Sequence, residues 1–256
     1  MSAFAFYKKV VALDSDAHCN LKFDDDKANF YFARDTAAVL IAGVEFAEAS
    51  REFPIVFIRG QDQRMSPVAL LGVRDAENLF VDEQGKWDAR YIPAFVRRYP
   101  FVMAEGGEQG QLVVCMDEGC PALNVDHGEL LINEKGEMEP RMDEVMQFLQ
   151  NFQQEFARTE MLVKQFDELG LFVQQGARFD TPTGETFQLN DFYLIDEVKF
   201  GQIEDAKLPG LFRNGALGLV YLHLASLGNM RKLLDRVSAR SAAHKQAALA
   251  KKAPLH

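Results

Sequence analysis

Residues 141–169 set the first constraint on the fold. Their apolar side chains, among them Met142, Leu149, Phe152, Phe156 and Phe166, recur every three or four positions with no internal glycine or proline, the spacing of one helix face. Pro140 suits the start of such a helix and Gly170 its stop. At about 1.5 Å per residue the helix extends roughly 43 Å, enough to brace a whole domain, so its stripe needs an equally extended surface to cover. Strand signals supply one. Residues 39–42, 55–58, 68–73 and 111–116 read as short buried strands, and 29–33 as a half-buried strand with Phe30 and Phe32 facing one way and Tyr31 the other. Further strands are expected at 171–174, 187–189 and 192–200, with turns at Gly106-Gly107 and Pro182-Thr183-Gly184.

A short helix is expected at 44–52, a mostly apolar one at 211–227, and a polar one from Met230 onward. Strand–helix–strand alternation is too sparse for a doubly wound sheet. The predicted class is therefore α+β, a mostly antiparallel sheet packed by one long amphipathic helix and a C-terminal helix pair. With no repeat evident, residues 1–229 are expected to form one globular domain and 230–256 a basic, partly helical tail.

Between Asn78 and Phe101 the chain concentrates its least interchangeable residues: the single Trp87, Tyr91, Tyr99, the pair Arg97-Arg98, and two prolines. Residues 78–82 read as a strand, 83–86 as a glycine turn, and the part from Asp88 as a helical turn ended by Pro100. Aromatic and arginine side chains dominate binding hot spots, so Trp87, Tyr91, Arg97, Arg98 and Tyr99 are candidate recognition residues. The competing reading makes the aromatics core and pairs the arginines with nearby acids. Consecutive helical residues project about 100° apart, so at most one of Arg97 and Arg98 points at the core.

Arg34 and Glu45 form a second candidate set. Glu45 falls in the first turn of a helix, where a carboxylate caps the N-terminus or pairs with an arginine. His223 lies within an apolar helix, where a hydrogen-bonded core imidazole is the plainer account. Cys115, Cys120 and His127 supply too few ligands, at the wrong spacing, for a structural zinc site. Signatures of phosphate loops, dinucleotide folds, nucleophile elbows and zinc proteases are absent, so no cofactor or metal is expected.

A formal charge of −10 argues against general nucleic-acid binding. Only the segment after Met230 is basic, and an acidic body with a basic end favours self-association into a homo-oligomer. Three cysteines are too few for a disulfide framework, no secretory signal is evident at the N-terminus, and no apolar run reaches membrane-spanning length. A cytoplasmic location is expected.

Three stretches carry a resemblance: FARDTAAVLIAGVEFAEASREFPIVF at 32–57, PVALLGVRDAENLFVDEQGKWDARYIPAFVRRYPF at 67–101, and GLVYLHLASLGNMRKLLDR at 218–236. Together they resemble the bacterial SapC-like family, named for an association with surface-layer gene clusters. Residues 106–126 hold no matching motif. The resemblance implies a bacterial accessory role and brings no catalytic residue set. The expected function is non-catalytic recognition of a peptide or protein partner through the aromatic and arginine surface. The alternative is an enzyme of unrecognised type with Arg34, Glu45, Arg98 and His223 converging in a pocket. A surface-layer structural component ranks last.

Overall fold

The computed structural model describes residues 6–106, 112–180 and 186–252. The elements run β1 (Val10–Ala12), β2 (Lys22–Phe23), β3 (Ala38–Leu40), α1 (Phe46–Ala49), β4 (Ile55–Arg59), β5 (Met65–Leu70), α2 (Ala94–Arg97), β6 (Phe101–Glu105) and β7 (Leu112–Asp117). They continue as β8 (Leu123–Asn124), β9 (Glu129–Leu130), α3 (Pro140–Glu168), β10 (Phe172–Asp180), β11 (Thr186–Ile195), α4 (Glu197–Gly201), α5 (Leu208–Arg213), α6 (Ala216–Ser226) and α7 (Asn229–Lys252). Every strand pair is antiparallel. One sheet has the order β10-β11-β4-β5-β3, a second β1-β7-β6, and a small third β8-β2-β9. The fold is α+β, as the residue pattern requires. No described helix is long and apolar enough to cross a membrane.

Helix α3 has the predicted bounds within one residue, and its length serves two cores. Near its start, Met142 and Leu149 pack with Phe101, Met116, Leu131 and Ile132 in the smaller core. Farther along, Phe152, Val163 and Phe166 enter the main core built on β4 and β5. The buried Thr159 hydroxyl accepts the Gly43 N–H (2.7 Å) and donates to Glu155 O (2.6 Å), tying the helix to the turn before α1.

Several expectations are corrected. Residues 29–33 form a 3-10 turn (Tyr31–Ala33), because the Asn29 side chain accepts the Tyr31 N–H at 3.0 Å and closes the chain locally. Residues 78–82 make one β-bridge, Val81 to Trp87, in place of a strand. The two segments predicted at 187–200 are one long strand followed by a helix, β11 and α4. The apolar helix predicted at 211–227 breaks into α5 and α6 at Gly215, whose φ of 85° no helix accommodates. The predicted turn at 182–184 lies outside the described residues, as do Gly107 and Gln111.

The basic tail is not a solvated appendage. On α7, Leu233 and Val237 are fully buried in the main core. Arg236 pairs with Asp88 at 2.7 Å, and Arg240 donates to the Asn78 and Val81 carbonyls at 2.8 and 3.0 Å. The helix is part of the domain well beyond residue 229.

A short internal repeat also emerges. LFVDEQGKWD (79–88) and LLINEKGEME (130–139) fold as matching hairpins. In each, the acid or amide side chain at the fourth position accepts two N–H groups of its own turn: Gln84 and Lys86 on Asp82, Lys135 and Glu137 on Asn133. Gly85 and Gly136 then adopt φ of 77° and 76°, the left-handed region where glycine carries no Cβ penalty.

Candidate functional site

The 87–101 segment is built around a buried acid. The Glu45 carboxylate accepts the Tyr91 hydroxyl and the Ala94 N–H at Oε1, both at 2.7 Å, and the Ala42 N–H at Oε2 (2.8 Å). Its capping role therefore holds, and it also fixes where α2 begins. The Trp87 indole N–H donates to Tyr91 O at 2.9 Å, and its ring packs among Phe30, Phe53 and Phe80. At 6% exposure Trp87 is core, so it offers no ring to a partner.

Arg98 is likewise 6% exposed. Its guanidinium lies 4.0 Å from the Phe95 ring centre and 5.2 Å from that of Phe152, and it bonds the Tyr7 hydroxyl. Burial depresses its pKa below the ordinary guanidinium range, with the Tyr7 contact opposing. Arg97, one position back, faces outward, and its Nε donates to Ile92 O at 3.0 Å. The helix geometry thus sends one arginine in and one out.

The outward end of this segment forms one wall of a cleft of about 640 Å³, within the range of ligand sites. A second wall is the 3-10 turn, with Phe30, Tyr31 and Phe32. The third is the turn at Gly119–Ala122, with Cys120 and Pro121. The rings of Phe32 and Tyr99 stack at 3.9 Å and 18°, making an aromatic floor. Pro100 follows through a cis Tyr99-Pro100 bond. Lys8, Lys27, Arg97 and Asp35 stand at the rim.

Asp117, fully buried, joins the walls. It accepts the N–H groups of Lys8 (3.0 Å), Lys9 (2.9 Å) and Gly119 (3.0 Å) and the Tyr99 hydroxyl (3.1 Å). Burial alone would raise its pKa, but these donors together hold it below the usual carboxylate value. Burial raises the Tyr99 phenol, helped by neighbouring Cys120 and Asp117, and burial raises the Cys120 thiol. Both remain protonated at neutral pH. A buried thiol of this kind is inert as a nucleophile.

The second candidate set does not converge. Arg34 is exposed and lines a neighbouring charged cleft with Arg74, Arg236 and Arg240. Glu45 is sealed beneath α2. His223 sits in the main core, where Nδ1 donates to Ile55 O (2.8 Å) and Nε2 accepts the Ile195 N–H (3.1 Å). The pocket of Arg34, Glu45, Arg98 and His223 is therefore corrected: three are buried in their own bonding networks and the fourth is on the surface. Cys115 and Cys120 are buried while His127 is exposed. Among the described residues no group of three His, Cys, Asp or Glu side chains is placed to hold a metal ion.

The family described as SapC matches residues 13–233, most of the chain. The chain belongs to the SapC family. No curated protein and no solved structure matches it. The match takes in all three walls of the cleft, including the 119–122 turn, where no motif was recognised in this SapC-family sequence. Of the cleft residues, sequence reasoning named Arg97 and Tyr99 but missed Phe30, Phe32, Cys120 and Pro121 as site residues. The available signal was the Phe-Tyr-Phe run directly after Asn29.

One residue outside the cleft controls its shape. Phe30 N–H donates to Gly85 O at 2.8 Å, and a Cβ on Gly85 would stand 2.7 Å from the Tyr31 ring. Gly85→Ala should cost about 1 to 2 kcal/mol for the left-handed backbone and push Tyr31 off the cleft wall. Urea denaturation and the near-UV tyrosine signal measure the two effects, and an unchanged spectrum would contradict the second.

Proposed function

We propose that this SapC-family chain is a non-catalytic binding protein of the bacterial cytoplasm that holds a peptide segment of a partner protein in the aromatic cleft. The observation that carries the reading is the cleft itself: an open, stacked aromatic floor under a rim of three cations and one acid. Aromatic surface with few rotatable bonds is the usual anchor of protein recognition. Two of the titratable groups that line the cleft, Tyr99 and Cys120, are held in their protonated forms, which suits contact better than turnover. Cys19, Cys115 and Cys120 are free thiols, in keeping with a reducing compartment.

Photo-crosslinking residues placed at the exposed Tyr31 and Pro121, with exposed Tyr221 as control, test the reading in cells. The expected result is capture of one contiguous segment of the same partner from Tyr31 and Pro121 but not from Tyr221. That segment, made as a peptide, should bind the wild-type chain roughly tenfold more tightly than the Arg97→Glu variant. Capture that does not depend on position, or a peptide indifferent to Arg97→Glu, would refute the proposal. Trp87, the single tryptophan, reports independently, because its ring lies 5.7 Å from that of Phe30 in the cleft wall.

A further inference from the structure

Resting on that reading, we infer the chemistry of the occupant: a proline-containing segment in the polyproline II conformation that carries an acidic residue. The first ground is the backbone of the cleft. An extended peptide of ordinary residues brings N–H groups that need acceptors, which sheet-edge recognition supplies by adding a strand. This cleft has no such edge. Its one lining residue within a strand, Phe23, belongs to β2, which is already paired on both sides by β8 and β9.

The remaining walls offer little more main chain. The acceptors on these walls are already used: the carbonyls of Phe30, Tyr31, Val96, Pro100, Cys120 and Ala122 take the N–H groups of Ala33, Arg34, Tyr99, Asp117, Leu123 and Asp24. A proline-rich segment fits this poverty of partners, since proline lacks the donor and its helix needs no internal or external ladder. Its rings pack against aromatic side chains, which Tyr31, Phe32 and Tyr99 supply along the cleft.

The second ground is charge. In a chain of net charge −10, the cleft is lined by Lys8, Lys27 and Arg97 against the single acid Asp35, a local reversal of sign. Neither Lys8 nor Arg97 forms an ion pair among the described residues. A carboxylate on the occupant meets both. Contacts of this kind at a rim steer association and set specificity.

The test uses the full chain and three fluorescein-labelled synthetic peptides read by anisotropy: Pro-Pro-Glu-Leu-Pro-Pro-Glu, the same peptide with alanine for proline, and the same with lysine for glutamate. The proline and glutamate peptide should bind at least about tenfold more tightly than either alternative, and added salt should weaken it. Lys8→Glu and Arg97→Glu, both at exposed positions and checked for native circular dichroism, should each reduce its affinity and favour the lysine peptide. Equal or tighter binding of the alanine peptide overturns the polyproline II assignment, and equal binding of the lysine peptide overturns the acidic one. Binding of no peptide overturns both. Should the crosslinked partner segment lack proline and acid yet still map to the cleft, this inference fails while the peptide-binding reading stands. If nothing is captured at the cleft, both fail.

Discussion

Replacing His223 with leucine is expected to destabilise the fold by about 3 to 5 kcal/mol, since it strands two buried main-chain groups at roughly 1 to 3 kcal/mol each and perturbs their surroundings. β4 and β11 meet by one residue pair, Tyr193 with Phe57. Where they separate, the imidazole bridges them, donating to Ile55 O and accepting from Ile195 N–H. Ser226, one turn on, accepts the Ile55 N–H at 2.9 Å, and Asn229 donates to the Ser50 and Phe53 carbonyls. One polar stripe of α6 and the start of α7 thus serves backbone groups of β4 and β11 and of the turn that leads from α1 into β4. Leucine fills the volume but bonds to none of them.

The same site fixes a pH dependence. Burial pushes the His223 pKa down from 6.5 to about 4, against the weaker opposing effect of the Ile55 carbonyl. Between those values the unfolded chain binds the proton and the folded chain does not. Stability from this group is therefore complete above pH 6.5 and lost as pH falls toward 4. The drop is about 3 kcal/mol at 1.36 kcal/mol per pKa unit. His223→Leu removes it. Urea titrations of both proteins at pH 7 and pH 4.5 should show the gap between them narrowing at the lower pH. Because the carboxylates titrate alike in both proteins, a constant gap would show that His223 is not held neutral by the fold.

The contrast between α3 and the cleft shows what sequence periodicity can and cannot carry. α3 was legible because its stripe runs unbroken between Pro140 and Gly170, and the helix meets both cores along its length. His223 was legible as a core histidine, although the reason for it lies in Ser226 and Asn229, three and six residues on, which complete the stripe. Residues 30–32 were ambiguous by nature. Two phenylalanines flanking a tyrosine satisfy a strand's period of two, and only the Asn29 side chain, which competes for the Tyr31 N–H, decides for a 3-10 turn.

Two of the candidate recognition residues, Trp87 and Arg98, are buried for a related reason. Tryptophan and arginine enrichment marks hot spots and aromatic cores alike. What separates Arg98 from Arg97 is helix phase, set by where α2 begins, whereas Trp87 is buried by the hairpin bridge to Val81 and by the rings of Phe30, Phe53 and Phe80. The cleft's third wall, Cys120 and Pro121, arrives through Asp117 and the β6–β7 pairing, long-range contacts that no local window contains. The hairpin repeat escaped notice because its matched positions differ in identity: Asp82 and Asn133 accept the same pair of N–H groups, and Trp87 and Met138 form the same bridge.

The phase of α2 is itself testable at Glu45. Glu45→Ala leaves three donors, Ala42 N–H, Ala94 N–H and the Tyr91 hydroxyl, without their acceptor in a buried site, and should cost about 4 kcal/mol. Glu45→Gln should cost less, about 1 to 3 kcal/mol, because its amide oxygen still serves two donors while the amide nitrogen opposes the third. Burial chiefly, reinforced by the neighbouring Glu45 charge, raises the Tyr91 phenol pKa and keeps that hydroxyl a donor. A double-mutant cycle with Tyr91→Phe should return a coupling of roughly 1.5 to 3 kcal/mol, the range for a hydrogen bond to a charged group. A coupling near zero would show that the Tyr91 contact does not hold the segment. Since Ala94 N–H is the first donor of α2, losing its acceptor loosens the start of the helix that carries Arg97. Glu45→Ala should therefore weaken binding of an acidic peptide without any change to a residue that lines the cleft, whereas Glu45→Gln, whose amide oxygen keeps the Tyr91 and Ala94 donors, should bind it as the wild type does.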